Sequence, residues 1–165
     1  ERAVLVPVEL VDALKAGIRI APFAFLLGGL GGPDGFWSNA MSYGLFAVFG
    51  LFAAIIAGAI ASPLLLPLLP GRAFALKGLV PGIVAALALL AARAHIWGVW
   101  PGPIETTAWL LVIPGLTAYL SMNFTGASTY TSLSGVRKEM RWAVPFQIAA
   151  VVLGIGLWLV ARFTA

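Results

Sequence analysis

The sequence predicts an all-α integral membrane protein, a bundle of five transmembrane helices with a cytoplasmic N-terminus and an outside C-terminus. Of its 165 residues, 61% are hydrophobic and only 10% are charged, whereas about a quarter of a soluble domain is charged. The mean hydropathy is +1.02. Uncharged apolar runs recur along the chain, and its length accommodates about five helices of roughly 20 residues each. No extramembrane domain fits beside them.

The composition also excludes several kinds of chemistry. The chain contains no cysteine, which rules out disulfides, thiolate metal sites and cysteine nucleophiles. The net charge of +4 is scattered at the ends of the predicted helices, which favours a role in membrane orientation over nucleic-acid binding. The sequence begins at Glu1 without an initiator methionine or a signal-peptide pattern. We therefore expect the membrane part of a longer chain.

The N-terminal region precedes the weakest span. Residues 1–15 are expected to form a junction from a preceding domain, with a short β-prone run at Ala3–Val6. The first span, Ala16–Leu30, is only 15 residues long and contains Arg19. It can still cross if Lys15 and Arg19 extend to the headgroups. The alternative for Arg19 is contact with an anionic headgroup or with the cytoplasmic segment described below.

The other four spans are better defined. Met41–Ser62 is the clearest, with 22 uncharged residues. The sequence then predicts spans at Leu79–Trp97, Thr106–Met122 and Ala143–Ala161. The fourth is expected to kink at Pro114. Together with the first span they make up a transmembrane domain over residues 16–165.

The distribution of basic and aromatic residues predicts the orientation. Five spans place the termini on opposite sides, and a cytoplasmic N-terminus leaves only Arg93 and Arg162 outside, as the positive-inside rule favours. The basic residues on the inner side are Arg2, Lys15, Arg19, Arg72, Lys77, Arg137, Lys138 and Arg141. Tryptophans would then mark the two interfaces. Trp142 falls at the inner interface, and the outer ones are Trp37, Trp97, Trp100, Trp109 and Trp158.

Small residues recur every four positions in two spans. They are Gly50, Ala54, Gly58 and Ser62 in the second span, and Ala150 and Gly154 in the fifth. This spacing lets helix backbones approach closely. We favour packing within the fold over a homodimer interface. The spans are odd in number and their halves share no pattern, which argues against a duplicated transporter.

Few residues are candidates for chemistry on the outer side. His95 is the only histidine, and only Asp34 and Glu105 share its side, so we interpret it as structural. Arg93 and Glu105 are expected to form an interfacial pair. The spans contain no carboxylate, which argues against a proton-coupled pump. No nucleophile–base set, phosphate-binding motif or metal cluster is visible, so this chain alone carries no catalytic, cofactor-binding or metal-binding residue.

The polar segment 123–141 is the exception in this apolar chain. Six Ser and Thr hydroxyls lie between Thr125 and Ser134, followed by four charged residues. Helix connections usually take 2–8 residues, and this one would occupy about 20. We favour an ordered cytoplasmic platform over a flexible connector, with Ser134 capping a helix that begins near Val136. The candidate docking residues are Asn123, Thr125, Ser128, Thr129, Ser132, Ser134, Arg137, Lys138 and Arg141.

The same segment carries a family resemblance. NFTGASTYTSLSGVRKEMR at Asn123–Arg141, followed by WAVPFQ, resembles the membrane domain of the HgcA family, the corrinoid proteins of microbial mercury methylation. The opening AVLVPVELVDALKAG resembles the junction between that family's corrinoid-binding domain and its five membrane helices.

The resemblance implies a cytoplasmic-membrane protein with a corrinoid (cobalamin-type) cofactor in a missing N-terminal domain. It also implies methyl transfer to Hg(II) and a ferredoxin-like partner, HgcB, that carries iron–sulfur clusters. Because the chain lacks cysteine, it lacks the family's cobalt-ligand motif, and no catalytic residue is carried over.

Three functional interpretations remain open. In the first, the chain anchors and positions the corrinoid domain, and HgcB docks on the basic patch Arg137, Lys138 and Arg141. In the second, the chain is a small transporter or channel, in which a re-entrant polar path is lined by Asn123, Thr125, Ser128 and Thr129. In the third, it is a purely structural anchor in the lipid bilayer.

Overall fold

The computed structural model describes residues 2–65, 74–98, 100–126 and 133–164, and the side chains of residues 10–65, 75–98, 100–123 and 138–164. These ranges contain five long helices, in agreement with the predicted all-α class. The helices are α1 (Arg2–Gly28), α2 (Phe36–Leu65), α3 (Phe74–Ile96), α4 (Pro103–Gly126) and α5 (Leu133–Thr164).

Three of the five helices are long and apolar enough to cross a bilayer. The qualifying stretches are Phe36–Leu65, Ala75–Ile96 and Lys138–Thr164, in α2, α3 and α5. They correspond to the predicted second, third and fifth spans. Within the described residues, the helices that contain the predicted first and fourth spans, α1 and α4, are not among these stretches. Charges interrupt α1, and polar residues lower the hydropathy of α4.

Helix α4 lies at the centre of the bundle and packs against α2, α3 and α5. A Cβ added at Gly50 of α2 would lie 2.8 Å from the Trp109 ring, and one added at Gly154 of α5 would lie 2.8 Å from the Ala108 carbonyl oxygen. On α3, a Cβ at Gly82 would lie 2.6 Å from the Pro114 Cα. Neighbouring protein therefore shields α4, which explains why α4 can be less apolar than the helices around it.

The small-residue stripe of α2 faces this central helix. Gly50, Ala54, Gly58 and Ser62 are all buried, and the Thr117 hydroxyl of α4 donates to the Ala54 carbonyl oxygen over 3.4 Å. The preference for packing within the fold is confirmed for this stripe. Its reason is steric, since only small side chains permit this helix separation.

Helices α1 and α2 cross with their backbones in contact. A Cβ added at Gly28 would lie 2.2 Å from the Gly44 Cα, and one at Gly44 would lie 2.2 Å from the Phe25 carbonyl oxygen. The crossing coincides with a π-helical turn of α2 at Ala40–Gly44. Gly28 and Gly44 thus set the separation of the two helices.

One local prediction differs from the structure. The β-prone run Ala3–Val6 is helical, because α1 is continuous from Arg2, and β propensity is a weak preference that context overrides. Helix α4 contains Pro114 within its length, and the kink expected there stays a prediction. The proline lies at the close approach to Gly82 of α3.

Candidate functional site

A buried cluster of three charged side chains ties together α3, α4 and α5. We refer to Arg93, Glu105 and Arg162 as the triad. The Arg93 Nη1 donates to Glu105 Oε1, and the Arg162 Nη2 donates to Glu105 Oε2 over 3.1 Å. The three residues are only 3%, 4% and 2% exposed. One carboxylate therefore bridges two guanidinium groups inside the protein, at the end of the bundle where α3 and α5 terminate and α4 begins.

Helix α2 contributes aromatic faces to the triad. The Arg162 Cζ lies 3.3 Å from the Tyr43 ring centroid and the Arg93 Cζ lies 4.5 Å from the Phe46 centroid. Cation–π contacts of this kind stabilise desolvated guanidinium groups by about 2 kcal/mol or more. The π-helical turn that contains Tyr43 thus presents a ring to the bundle interior, and the triad end involves four helices.

The predicted Arg93–Glu105 pair is confirmed, and both side chains are buried within the protein. Sequence reasoning missed the third member, Arg162, together with its contact to Tyr43. The sequence contained only a weak signal for Arg162. Arg162 was predicted to share a side of the membrane with Arg93, but a lone arginine near a helix end is typical of an orientation marker.

Two tryptophans beside the triad are buried in the core, whereas the predicted aromatic belt placed them at the outer interface. Trp109 and Trp158 are each only 4% exposed, and their ring centroids lie 5.6 Å apart in the core. They lie four residues from Glu105 and Arg162 respectively, so they occupy the adjacent turn on the same inward face. The other predicted belt tryptophans are exposed: Trp37, Trp97, Trp100 and Trp142.

Two other polar residues of this end face outward. His95 and Asp34 are exposed. Within the described ranges no group of three or more His, Cys, Asp or Glu side chains is placed to hold a metal ion. Arg19, the charge that sequence reasoning placed in the first span, is exposed on the outer surface of α1.

Most of the polar segment 123–141 is helical. Helix α4 extends to Gly126 and α5 begins at Leu133, so the prediction of a connection of about 20 residues is wrong. Helix α5 starts three residues before Val136, which places Ser134 inside its first turn instead of in front of the helix. Helical hydrogen bonding extends beyond the apolar spans because it does not depend on contact with lipid.

The candidate docking residues are described to different extents. Lys138 and Arg141 are exposed on α5, and Asn123 is half-buried on α4. The helices include the backbones of Thr125, Ser134 and Arg137, but their side chains lie outside the described ones, and Ser128, Thr129 and Ser132 lie outside the described residues altogether. The helical backbone at Asn123 and Thr125 does not form the non-helical turn that a re-entrant path requires there.

A hydrogen bond between helices holds the basic end of α5. The Glu139 Oε1 accepts from the Ala75 N–H over 2.8 Å. Ala75 lies in the first turn of α3, where backbone N–H groups lack helical partners and a negative charge is favourable. Glu139 thus caps α3 and fixes the turn of α5 that carries Lys138 and Arg141.

The long apolar helices, with large apolar side chains on their outer faces, define the class of a helical membrane protein. Comparison with protein-family models, curated proteins and solved structures found no match.

Proposed function

We propose that this chain is the membrane domain of an HgcA-like corrinoid-dependent mercury methyltransferase. It anchors the cytoplasmic corrinoid domain and positions it beside the ferredoxin-like partner HgcB. The identity of these partners comes from the resemblance of residues 123–141. The structural observation that carries the positioning role is the exposure of Lys138 and Arg141 on a helix turn that the Glu139–Ala75 hydrogen bond restrains.

The proposal includes five membrane crossings with a cytoplasmic N-terminus. Helix α4 packs against all three strongly apolar helices, from Glu105 at one end to Ser121 at the other. It therefore shares their path through the bilayer despite its lower hydropathy. Helix α1 follows α2 from Leu10, which packs against the cluster of Ile55 and Ala59, to the glycine crossing at Gly28. The excess of basic residues on one side supports the orientation.

Single-cysteine labelling tests this topology, because the chain provides a cysteine-free background. We expect the Lys138→Cys variant to react with a membrane-impermeant maleimide only from the cytoplasmic side, and the His95→Cys variant only from the opposite side. Both positions are exposed. The measurement compares labelling in right-side-out and inside-out vesicles. Labelling of both variants from the same side would contradict the topology.

Charge reversal tests the docking surface. In the full-length protein, the combined change Arg137→Glu, Lys138→Glu and Arg141→Glu is expected to lower the association rate with HgcB by about tenfold or more at low salt, and less at high salt. Mercury methylation by the reconstituted pair would fall with it. The matched control is Lys15→Glu, a reversal at an exposed lysine of α1, which should leave both unchanged. Unaltered binding and methylation in the triple variant would leave the structural anchor as the function.

A further inference from the structure

At the triad end of the bundle, more buried hydrogen-bond donors than acceptors lack a partner among the described residues. Among the described residues, buried side-chain atoms without a hydrogen-bond partner there include four donors, Arg162 Nε and Nη1 and the Nε1 atoms of Trp109 and Trp158. The unpartnered acceptor nearby is Asn39 Oδ1. A buried donor without a partner is strongly disfavoured. An additional acceptor would therefore stabilise this region, above all at Arg162.

The net charge of the triad also favours an additional acceptor, one that is negatively charged. Two guanidinium groups, which do not lose their protons in proteins, share the single carboxylate of Glu105. The group thus carries one uncompensated positive charge while its members are at most 4% exposed. Contacts with the Tyr43 and Phe46 rings offset part of this burial. A water molecule could accept the hydrogen bonds, but only an anion would also neutralise the charge.

The glycine-rich connection between α1 and α2 packs beside the site. Gly31 and Gly32 have φ values of 72° and 92°, a conformation that favours glycine. A Cβ at Gly31 would lie 2.8 Å from the Arg162 carbonyl oxygen, and one at Gly32 would lie 2.8 Å from Asn39 Oδ1. The connection therefore packs directly on the residues of the site. Because Arg162 is only 2% exposed and its Nε and Nη1 atoms are buried, the site favours a small free ion over a lipid headgroup.

We propose that the triad end binds a small monovalent anion of the chloride type, with the Nε–H and Nη1–H groups of Arg162 as its principal donors. The anion balances the charge that Glu105 leaves uncompensated. A 180° flip of the Asn39 side-chain amide exchanges the positions of its oxygen and its NH₂ group, and the NH₂ group would then provide a further donor. This proposal is independent of the proposed membrane-anchor function.

Thermal unfolding of the detergent-solubilised protein tests the site. Sodium gluconate, whose anion is too large for an enclosed site, is replaced stepwise by sodium chloride or sodium bromide at constant ionic strength. We expect Tm to rise with the logarithm of the anion concentration above its Kd and to increase by about 5–10 °C at a hundred times Kd. The variants Arg162→Gln and Arg162→Lys should lose this rise, because one removes the charge and the other the paired donors. Arg19→Gln, at an exposed arginine of α1, should retain it.

Each outcome of these measurements either supports or overturns the proposed anion site. A Tm that is equal in gluconate and chloride would overturn it, as would an equal chloride-dependent rise in Arg162→Gln and the wild type. If the Arg162 variants do not fold, the wild-type titration still decides whether an anion binds, and anomalous scattering from bromide-soaked crystals locates it. A bromide peak beside Arg162 supports the site, and bromide peaks confined to the protein surface would contradict it.

Discussion

Replacement of Glu105 by glutamine is expected to lower the free energy of unfolding by about 3–5 kcal/mol, the range measured when one partner of a buried ion pair is removed. The reason is that Arg93 and Arg162 lose the one carboxylate that pairs with them among the described residues, while they remain at most 3% exposed. Two positive charges would then face each other in the protein interior. Unfolding in SDS or by heat in a mild detergent, followed by tryptophan fluorescence, measures the change.

The matched control is an exposed carboxylate with a similar pairing. Asp12 lies 3.4 Å from Lys15, and both side chains are largely exposed, so Asp12→Asn should change stability by less than about 1 kcal/mol. The double variant Glu105→Gln with Arg162→Gln should lose less stability than the sum of its single variants, because the second change removes one uncompensated charge. Equal effects of Glu105→Gln and Asp12→Asn would show that the triad does not stabilise the bundle.

Replacement of Gly44 by alanine is expected to lower the free energy of unfolding by about 1–3 kcal/mol, as overpacking typically does. The added Cβ would lie 2.2 Å from the Phe25 carbonyl oxygen. Because that atom belongs to the backbone, it cannot rotate away, and α1 and α2 would have to separate. The same unfolding measurement applies, and cysteine cross-linking between α1 and α2 would report the separation.

Gly156 provides the control for this substitution. It lies within α5, and a Cβ added there would have nothing within 4 Å. Gly156→Ala should therefore leave stability unchanged or raise it by up to about 1 kcal/mol, since alanine is the better helix former. A loss of stability in Gly156→Ala as large as in Gly44→Ala would show that the effect does not arise from the helix crossing.

The sequence was most informative where a physical constraint acts along a single helix. Bilayer thickness imposes a minimum length on apolar runs, and for this reason the runs within Met41–Ser62, Leu79–Trp97 and Ala143–Ala161 predict real helices. It was less informative at helix ends. The polar segment 123–141 was expected to be a connection, yet α4 and α5 extend into it, because polar residues outside the membrane can continue a helix.

The candidate site was only partly predictable for a different reason. Opposite charges near one membrane face predict a pair, so Arg93 and Glu105 were found. Nothing along the chain indicates that Arg162, 57 positions from Glu105, faces inward, or that Trp109 and Trp158 are core residues instead of interfacial ones. These outcomes depend on how each helix is rotated about its axis, and that rotation is a property of the packed bundle.

The helical membrane class and the small-residue stripe of α2 can be predicted from the sequence, since both follow from hydrophobicity and spacing within one segment. Three features arise from the packing of the helices: α4 is central, Glu139 caps α3 and Glu105 bridges two arginines. Each of these depends on contacts between helices far apart in sequence. Such contacts form where close packing and the pairing of buried charges are satisfied together.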